Sequence, residues 1–505
     1  MLNPAVTSPP GARRPRRAGL VLALVAAVAG AIGVAVVAAP PAQAATIDTS
    51  AWYVLVNRNS GKVVDLWEWN TADGAEYRQW PDLNGTNQQF QVLDSDSGYV
   101  RLINRHSSKA LEVWERSTAD GARISQYTDL NGANQQWQLV PIGTGTPTTP
   151  PPATGCGSGS YQAEAVLNGG TWTARNGSST VHTGSDMLAA MQAAVNSLTP
   201  GRTAKQRVVV RGSGSMSAGS RLSLPSHTTL AVCGTINVTG SGSGDYAPVY
   251  SRGTTDVEVQ NLTLTGAPLY GIFMRNVNNL TLGQIDMRLS GGLGVRIDNH
   301  GGDRAVKVRN VRIDTVYVSG TGAHGVETYG VDGLTIGTVT ARNTGYSGLL
   351  LNDTINATVG TVDAQGAGTG TGYAAFRMAN RNGRIGSSYP TNIRVGTVIA
   401  SGGGRGVFCV SESGGAVIDR VTISNTGNNS ILVENCYNVT IAGVSGTVTG
   451  GGEVRIASRT EFPISSGIRF QNLTVTNTNI TQSPCGGANN TISNVTRVNS
   501  TLTWC

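Results

Sequence analysis

One short phrase recurs between about Asp256 and Thr491 and restricts the chain to very few folds. Gly271-Ile-Phe-Met-Arg275, Gly294-Val-Arg-Ile-Asp298, Gly325-Val-Glu-Thr-Tyr329, Gly348-Leu-Leu-Leu-Asn352 and Gly406-Val-Phe-Cys-Val410 are versions of one strand. The first four begin 23, 31 and 23 residues apart. A repeat of that length is one supersecondary unit that cannot bury its apolar face alone, so successive copies must stack. With 67 glycines, 13% charged residues and many Val, Ile, Thr and Asn, the repeat predicts an all-β chain and a right-handed parallel β-helix with a groove along one flank.

Ahead of the repeat the chain changes character three times. Arg13, Arg14, Arg16 and Arg17 precede an apolar run from Ala18 to Ala39. Ala42-Gln43-Ala44 then offers a small-x-small processing site, so residues 1–44 are expected to be a signal peptide. The alternative is an uncleaved membrane anchor, for which the run is just long enough. Cleavage gives a secreted, extracellular protein with no membrane association. The net charge of +7 rests partly on those arginines, and no other basic run exists, so no nucleic-acid partner is expected. Six cysteines in an exported chain imply three disulfides out of 15 possible pairings. Cys485–Cys505, Cys409–Cys436 and Cys156–Cys233 are the favoured set. Neither a Cys-x-x-Cys nor a paired-His spacing is present, which argues against a zinc site.

Residues 46–142 hold a second, different repeat. Tyr53-Val-Leu-Val-Asn-Arg and Tyr99-Val-Arg-Leu-Ile-Asn-Arg open its two copies. These share Thr-Ala-Asp-Gly-Ala (71–75, 118–122), Asp-Leu-Asn-Gly (82–85, 129–132) and Asn-Gln-Gln-aromatic (87–90, 134–137). The segment resembles the ricin-B-type lectins, whose Gln-x-Trp signature reads here as Gln135-Gln136-Trp137 and, altered, as Gln88-Gln89-Phe90. The resemblance implies a β-trefoil-like domain, with two copies where the family has three. It also implies sugar pockets at Asp65, Trp80, Asn87 and Gln88, and at Glu112, Tyr127, Asn134 and Gln135. The chemistry fits, since an aromatic face stacks on a pyranose while acid and amide groups bond its hydroxyls. Trp137 and Phe90 are expected in the core.

Residues 143–159, rich in Thr, Pro and Gly, read as an extended linker. Residues 160–505 then form the β-helix. Its one clear helical pattern is Ser185 to Leu198, with Ser185 as cap and a stripe through Met187, Met191 and Val195 suited to closing the solenoid's end. This region is similar in coil pattern to the pectin-lyase-like β-helix superfamily of polysaccharide lyases and glycoside hydrolases. It lacks the Asn-Thr-Asp, Asp-Asp, Gly-His-Gly and Arg-Ile-Lys motifs of polygalacturonases.

Strand alternation locates the candidate site. With Val295 and Ile297 inside, Arg296 and Asp298 face outward. The same register turns out Arg275, Glu327, Tyr329, Asn352 and Arg377, with Glu412 and Glu434 further on and His300, His324 and Asp353 flanking. A salt-bridged solvent face is the bland alternative. The mixture of Arg, acid, Tyr and His favours a catalytic site with Asp298, Glu327, Arg296, Tyr329, Arg377, Glu412 and Glu434 as catalytic candidates. Arg275, His300, His324, Asn352 and Asp353 are then candidates for substrate binding. Asp298 and Glu327, on adjacent coils and two positions apart, have backbones roughly 8 Å apart, a spacing suited to an inverting glycosidase. Glu327 is the expected acid and Asp298 the expected base, with Arg296 and Tyr329 orienting substrate. The rival is lyase chemistry, which the resemblance associates with an Arg base such as Arg377 or Arg275 and with Ca²⁺ at Asp298, Glu327 and Asp353; for hydrolysis no cofactor is expected. The overall expectation is a monomeric polysaccharide-cleaving enzyme targeted by a lectin module, with a non-catalytic glycan-binding protein as the third alternative.

Overall fold

The computed structural model describes residues 52–55, 62–95, 99–117, 122–137, 156–299 and 305–505. The leader, almost all of the linker and His300 lie outside them. Contacts divide the chain after Pro141 into two compact units.

The first unit is built from antiparallel strands. Trp52–Val54 pairs with Gln89–Asp94, which pairs with Val100–Asn104. The hairpins Val63–Leu66 with Tyr77–Trp80 and Ala110–Val113 with Ile124–Tyr127 are the same element in each copy. Phe90, Val92, Val100, Leu102 and Leu111 form the core. Phe90 is fully buried, whereas Trp137 is only half-buried, contrary to expectation. Trp137 lies with Tyr77, Leu102, Leu111 and Ile124 along an open apolar cleft of about 460 Å³.

The second unit is a β-solenoid of about 13 turns. Its strands pair in parallel from coil to coil, and Val295, Ile297, Val326, Leu349, Leu351, Phe376 and Met378 stack within one continuous core. The glycine that opens each phrase has a steric cause. A Cβ on Gly294 would stand 2.3 Å from the Gly325 carbonyl oxygen, and one on Gly325 would stand 2.7 Å from that of Gly348. Successive coils approach too closely there for any side chain. The single α-helix among the described residues, Met187–Asn196, packs Met187, Met191 and Val195 against the first coils. Its cap is Asp186 rather than Ser185, because the Asp186 carboxylate accepts the Ala189 N–H at 2.7 Å. The disulfides are Cys156–Cys233, Cys409–Cys436 and Cys485–Cys505, the favoured set.

Candidate functional site

Parallel pairing stacks the positions that alternate with the main core in two columns, most of whose members are buried, Leu350, Phe408 and Leu432 in an apolar cluster of their own. Phe273, Arg296, Glu327, Leu350, Arg377, Phe408 and Leu432 stand in one. Arg275, Asp298, Tyr329, Asn352 and Ala379 stand in the other, and Glu434 aligns with Val410 further along. Alternation separated these positions from the main core, but Asp298, Glu327 and Asn352 are buried rather than turned out to solvent.

What alternation missed is how the charges close on one another. The Arg275 guanidinium grips Asp298 with two bonds, Nε to Oδ1 at 2.9 Å and Nη2 to Oδ2 at 3.1 Å, and its Nη1 reaches Asp245 at 3.0 Å. Arg296 donates from Nε to Asp298 Oδ2 at 3.0 Å and from Nη1 to Glu327 Oε2 at 2.9 Å. Asp298 is consequently 0% exposed. Burial alone would favour its neutral form, but Arg275 and Arg296 outweigh it and hold the carboxyl below its ordinary value. A carboxylate so saturated and enclosed has neither basicity nor room for a water. The expectation that Asp298 faces the groove as general base is corrected here: it is the anchor of two arginines.

Glu327 is held differently. Burial raises its proton affinity, and nearby Asp298 adds to the rise, outweighing Arg296. Its Oε1 accepts the Asn352 amide at 3.0 Å, and Asn352 in turn accepts Asn380 at 2.8 Å. Arg377 is the contrasting cation. Among the described residues no carboxylate lies within 4.0 Å of it, and its buried Nε has no hydrogen-bond partner. Burial pushes this guanidinium below its ordinary value. His324 accepts the Ser347 N–H at Nδ1 at 3.1 Å, which leaves the proton on Nε2. Burial, with Arg377 and Arg296 nearby, brings its pKa down to about 3, so it stays neutral. Arg377 thus stands within electrostatic reach of both Glu327 and His324.

Other candidates fall elsewhere. Glu434 is one position of the second column, four coils from Glu327's and so roughly 19 Å away, and pairs with Arg459 at 2.9 Å. Glu412 is bound by Arg381 and Arg384 at 3.3 and 3.5 Å. Neither reaches Glu327 to complete an acid–base pair. Asp353 pairs with Lys307 at 2.8 Å. Of the three carboxylates considered for Ca²⁺, Asp298 and Asp353 are already neutralised by cations, and among the described residues no group of three or more Asp, Glu, His or Cys stands close enough to hold a metal. These residues do not fit a calcium site.

In the first unit both expected pockets assemble. Asp65 accepts Asn87 at 3.0 Å and Gln88 at 2.8 Å, beside Trp80, in a cleft of about 480 Å³. Glu112 accepts Asn134 at 3.0 Å and Gln135 at 3.2 Å, beside Tyr127, in a cleft of about 400 Å³. Burial raises the Glu112 pKa against those two bonds. Trp67 and Trp69 in the first cleft and Trp114 in the second were not anticipated. The signal was available: Trp67 and Trp114 each follow their acid by two residues.

Fold and pockets together define a carbohydrate-binding lectin unit followed by a parallel β-helix. The first unit matches the family described as ricin-type beta-trefoil lectin domain-like, over residues 43–127 and 86–156. Solved structures similar to the chain include the following. The designed three-fold symmetric protein ThreeFoil is 35% identical over 25% of this chain and 71% of its own, with a TM-score of 0.18. The exo-beta-1,3-galactanase 1,3Gal43A from Clostridium thermocellum is 32% identical over 18% of this chain and 23% of its own, TM-score 0.17. The A-module of the mannuronan C-5 epimerase AlgE6 from Azotobacter vinelandii is 12% identical over 63% of this chain and 93% of its own, TM-score 0.25. No curated protein matches.

Proposed function

We propose that this protein is a secreted enzyme that cleaves an acidic polysaccharide by β-elimination, held to its substrate by the lectin unit. The observation that carries the reading is the nearness of Glu327, a buried carboxyl of raised proton affinity, to Arg377, a cation with no carboxylate within 4.0 Å among the described residues. An inverting hydrolase needs two available carboxyls, and Asp298 is saturated by arginines. Elimination needs one proton-accepting group and a positive charge to neutralise the uronate carboxylate. Glu327, made more basic by burial, takes the proton from the carbon next to that carboxylate. The electron pair forms the new C=C bond as the glycosidic C–O bond breaks, and the departing oxygen is protonated by the Tyr329 hydroxyl or by water. Arg377 holds the substrate carboxylate, and neutral His324 donates from Nε2 without adding charge.

Hydrolysis is the second reading, supported by the same raised proton affinity of Glu327, which suits a general acid. Incubation with alginate, polygalacturonate, xylan and galactan separates the two. Elimination gives new reducing ends together with ultraviolet absorbance from the unsaturated product. Reducing ends without absorbance establish hydrolysis, and neither signal from any glycan overturns both readings.

A further inference from the structure

The groove has an aromatic wall that sequence alternation did not reveal. Tyr346 and Tyr373 come from loops on successive coils and stack face to face, with centroids 4.0 Å apart and planes 14° from parallel. His324 meets both edge-on, at 5.2 and 5.8 Å. Tyr346 is still 38% exposed, and Tyr373 is part-exposed. The pair is held in place before anything binds. The Tyr346 N–H bonds the Ala323 carbonyl at 3.0 Å, and its own carbonyl accepts the Thr344 hydroxyl at 2.9 Å. Gly368, at φ +47°, passes beneath Tyr373 where a Cβ would lie 2.6 Å from the tyrosine's own Cβ. Only a glycine there lets the ring take this position.

Two fixed rings whose outer surface remains in water need a reason. Tyr346 precedes Leu350 by four residues and Tyr373 precedes Arg377 by four. The wall therefore borders the floor where Leu350 separates Glu327 from Arg377. An apolar, rigid face beside a polar, charged floor matches the two-sided surface of a pyranose, with C–H bonds on one face and hydroxyls at the rim. We propose that Tyr346 and Tyr373 form a sugar-stacking subsite that seats a pyranose unit of the glycan beside the reacting one, with His324 bracing the rings. This rests on the reading of the groove as a polysaccharide site, but not on which reaction occurs there.

The test uses the full chain carrying Trp80→Ala and Tyr127→Ala, so that lectin binding does not mask the groove. Mobility is measured in gels containing alginate, polygalacturonate, xylan or galactan. At least one glycan should retard this chain. Adding Tyr346→Ala and Tyr373→Ala should weaken that retardation at least tenfold, while Tyr346→Phe with Tyr373→Phe should keep it within about threefold, because stacking does not need the hydroxyls. Circular dichroism verifies folding of each variant. Unchanged retardation in the alanine variant, or no retardation by any of the four glycans, overturns the subsite. Glu327→Gln separates the two claims: if it cleaves like the parent while the tyrosine variants lose binding, the catalytic reading fails and the subsite stands.

Discussion

The two units hold their carboxylates with different partners, and the difference explains what each unit is for. In the lectin clefts, Asp65 and Glu112 are steadied by the neutral amides of Asn87, Gln88, Asn134 and Gln135. Amides fix the geometry and leave the negative charge for sugar hydroxyls. In the groove, Asp298 is neutralised by Arg275 and Arg296, and Glu327 sits between Arg296 and Asn352. There most charges are paired; Glu327, though paired with Arg296, has its proton affinity raised by burial, and Arg377 has no carboxylate within 4.0 Å among the described residues. The first arrangement suits sugar binding; the second suits the proton transfer proposed for Glu327.

The comparison breaks most sharply at Glu327. Replacement by Gln should lower cleavage about 10²–10⁴-fold while glycan retention by the lectin unit is unchanged. If both fall together, the division of labour is wrong. With Glu327 as base, cleavage should rise with pH through a value above the ordinary 4.5, since the group acts only when ionised and burial raises its pKa; a pH–rate profile measures this.

Next comes stability. Asp298→Asn removes the carboxylate that Arg275 and Arg296 share, leaving them Asp245 and Glu327 alone, and should cost at most about 3–5 kcal/mol, read by thermal or denaturant unfolding. Because the arginines depress the Asp298 pKa, its contribution is complete above the ordinary 3.8 and disappears as pH falls through the depressed value. The wild-type β-helix should lose stability in that acid range, and Asp298→Asn should blunt the loss.

Smaller effects are expected in the lectin unit. Trp80→Ala or Tyr127→Ala should each weaken sugar binding by roughly two- to tenfold, in line with the value of one aromatic contact, without altering unfolding. The finest test compares the clefts. In Trp80→Ala, binding depends on the Glu112 cleft and should decline as pH falls through a value above the ordinary 4.5, because burial favours the protonated, uncharged acid. Calorimetric titration across pH reads this out.

Much of this was legible in the residues. The coil phrase gave the solenoid because period-two alternation and a recurring glycine leave few other ways to bury Val295, Ile297, Val326 and Leu351. The lectin pockets were legible because the resemblance to ricin-B-type lectins implies an acid–aromatic–amide set, which the internal repeat carries twice, offset by a constant 47 residues from Asp65 to Glu112 and from Trp80 to Tyr127. The helix cap was missed by one residue, since Ser185 and Asp186 are both good acceptors and only the backbone geometry chooses. Tyr346 and Tyr373 were missed because they sit on loops, where no periodicity reports direction.

Sequence by itself determined the solenoid, through its short-range periodicity, and, through resemblance, the lectin unit; it favoured but did not fix the disulfide set. Only the tertiary structure decided which of the candidate side chains is available. Asp298 and Glu327 look equivalent along the strand. Arg275, 23 residues away, and Arg296, two residues away, neutralise and bury Asp298, while burial raises the proton affinity of Glu327, because electrostatics depends on neighbours in space.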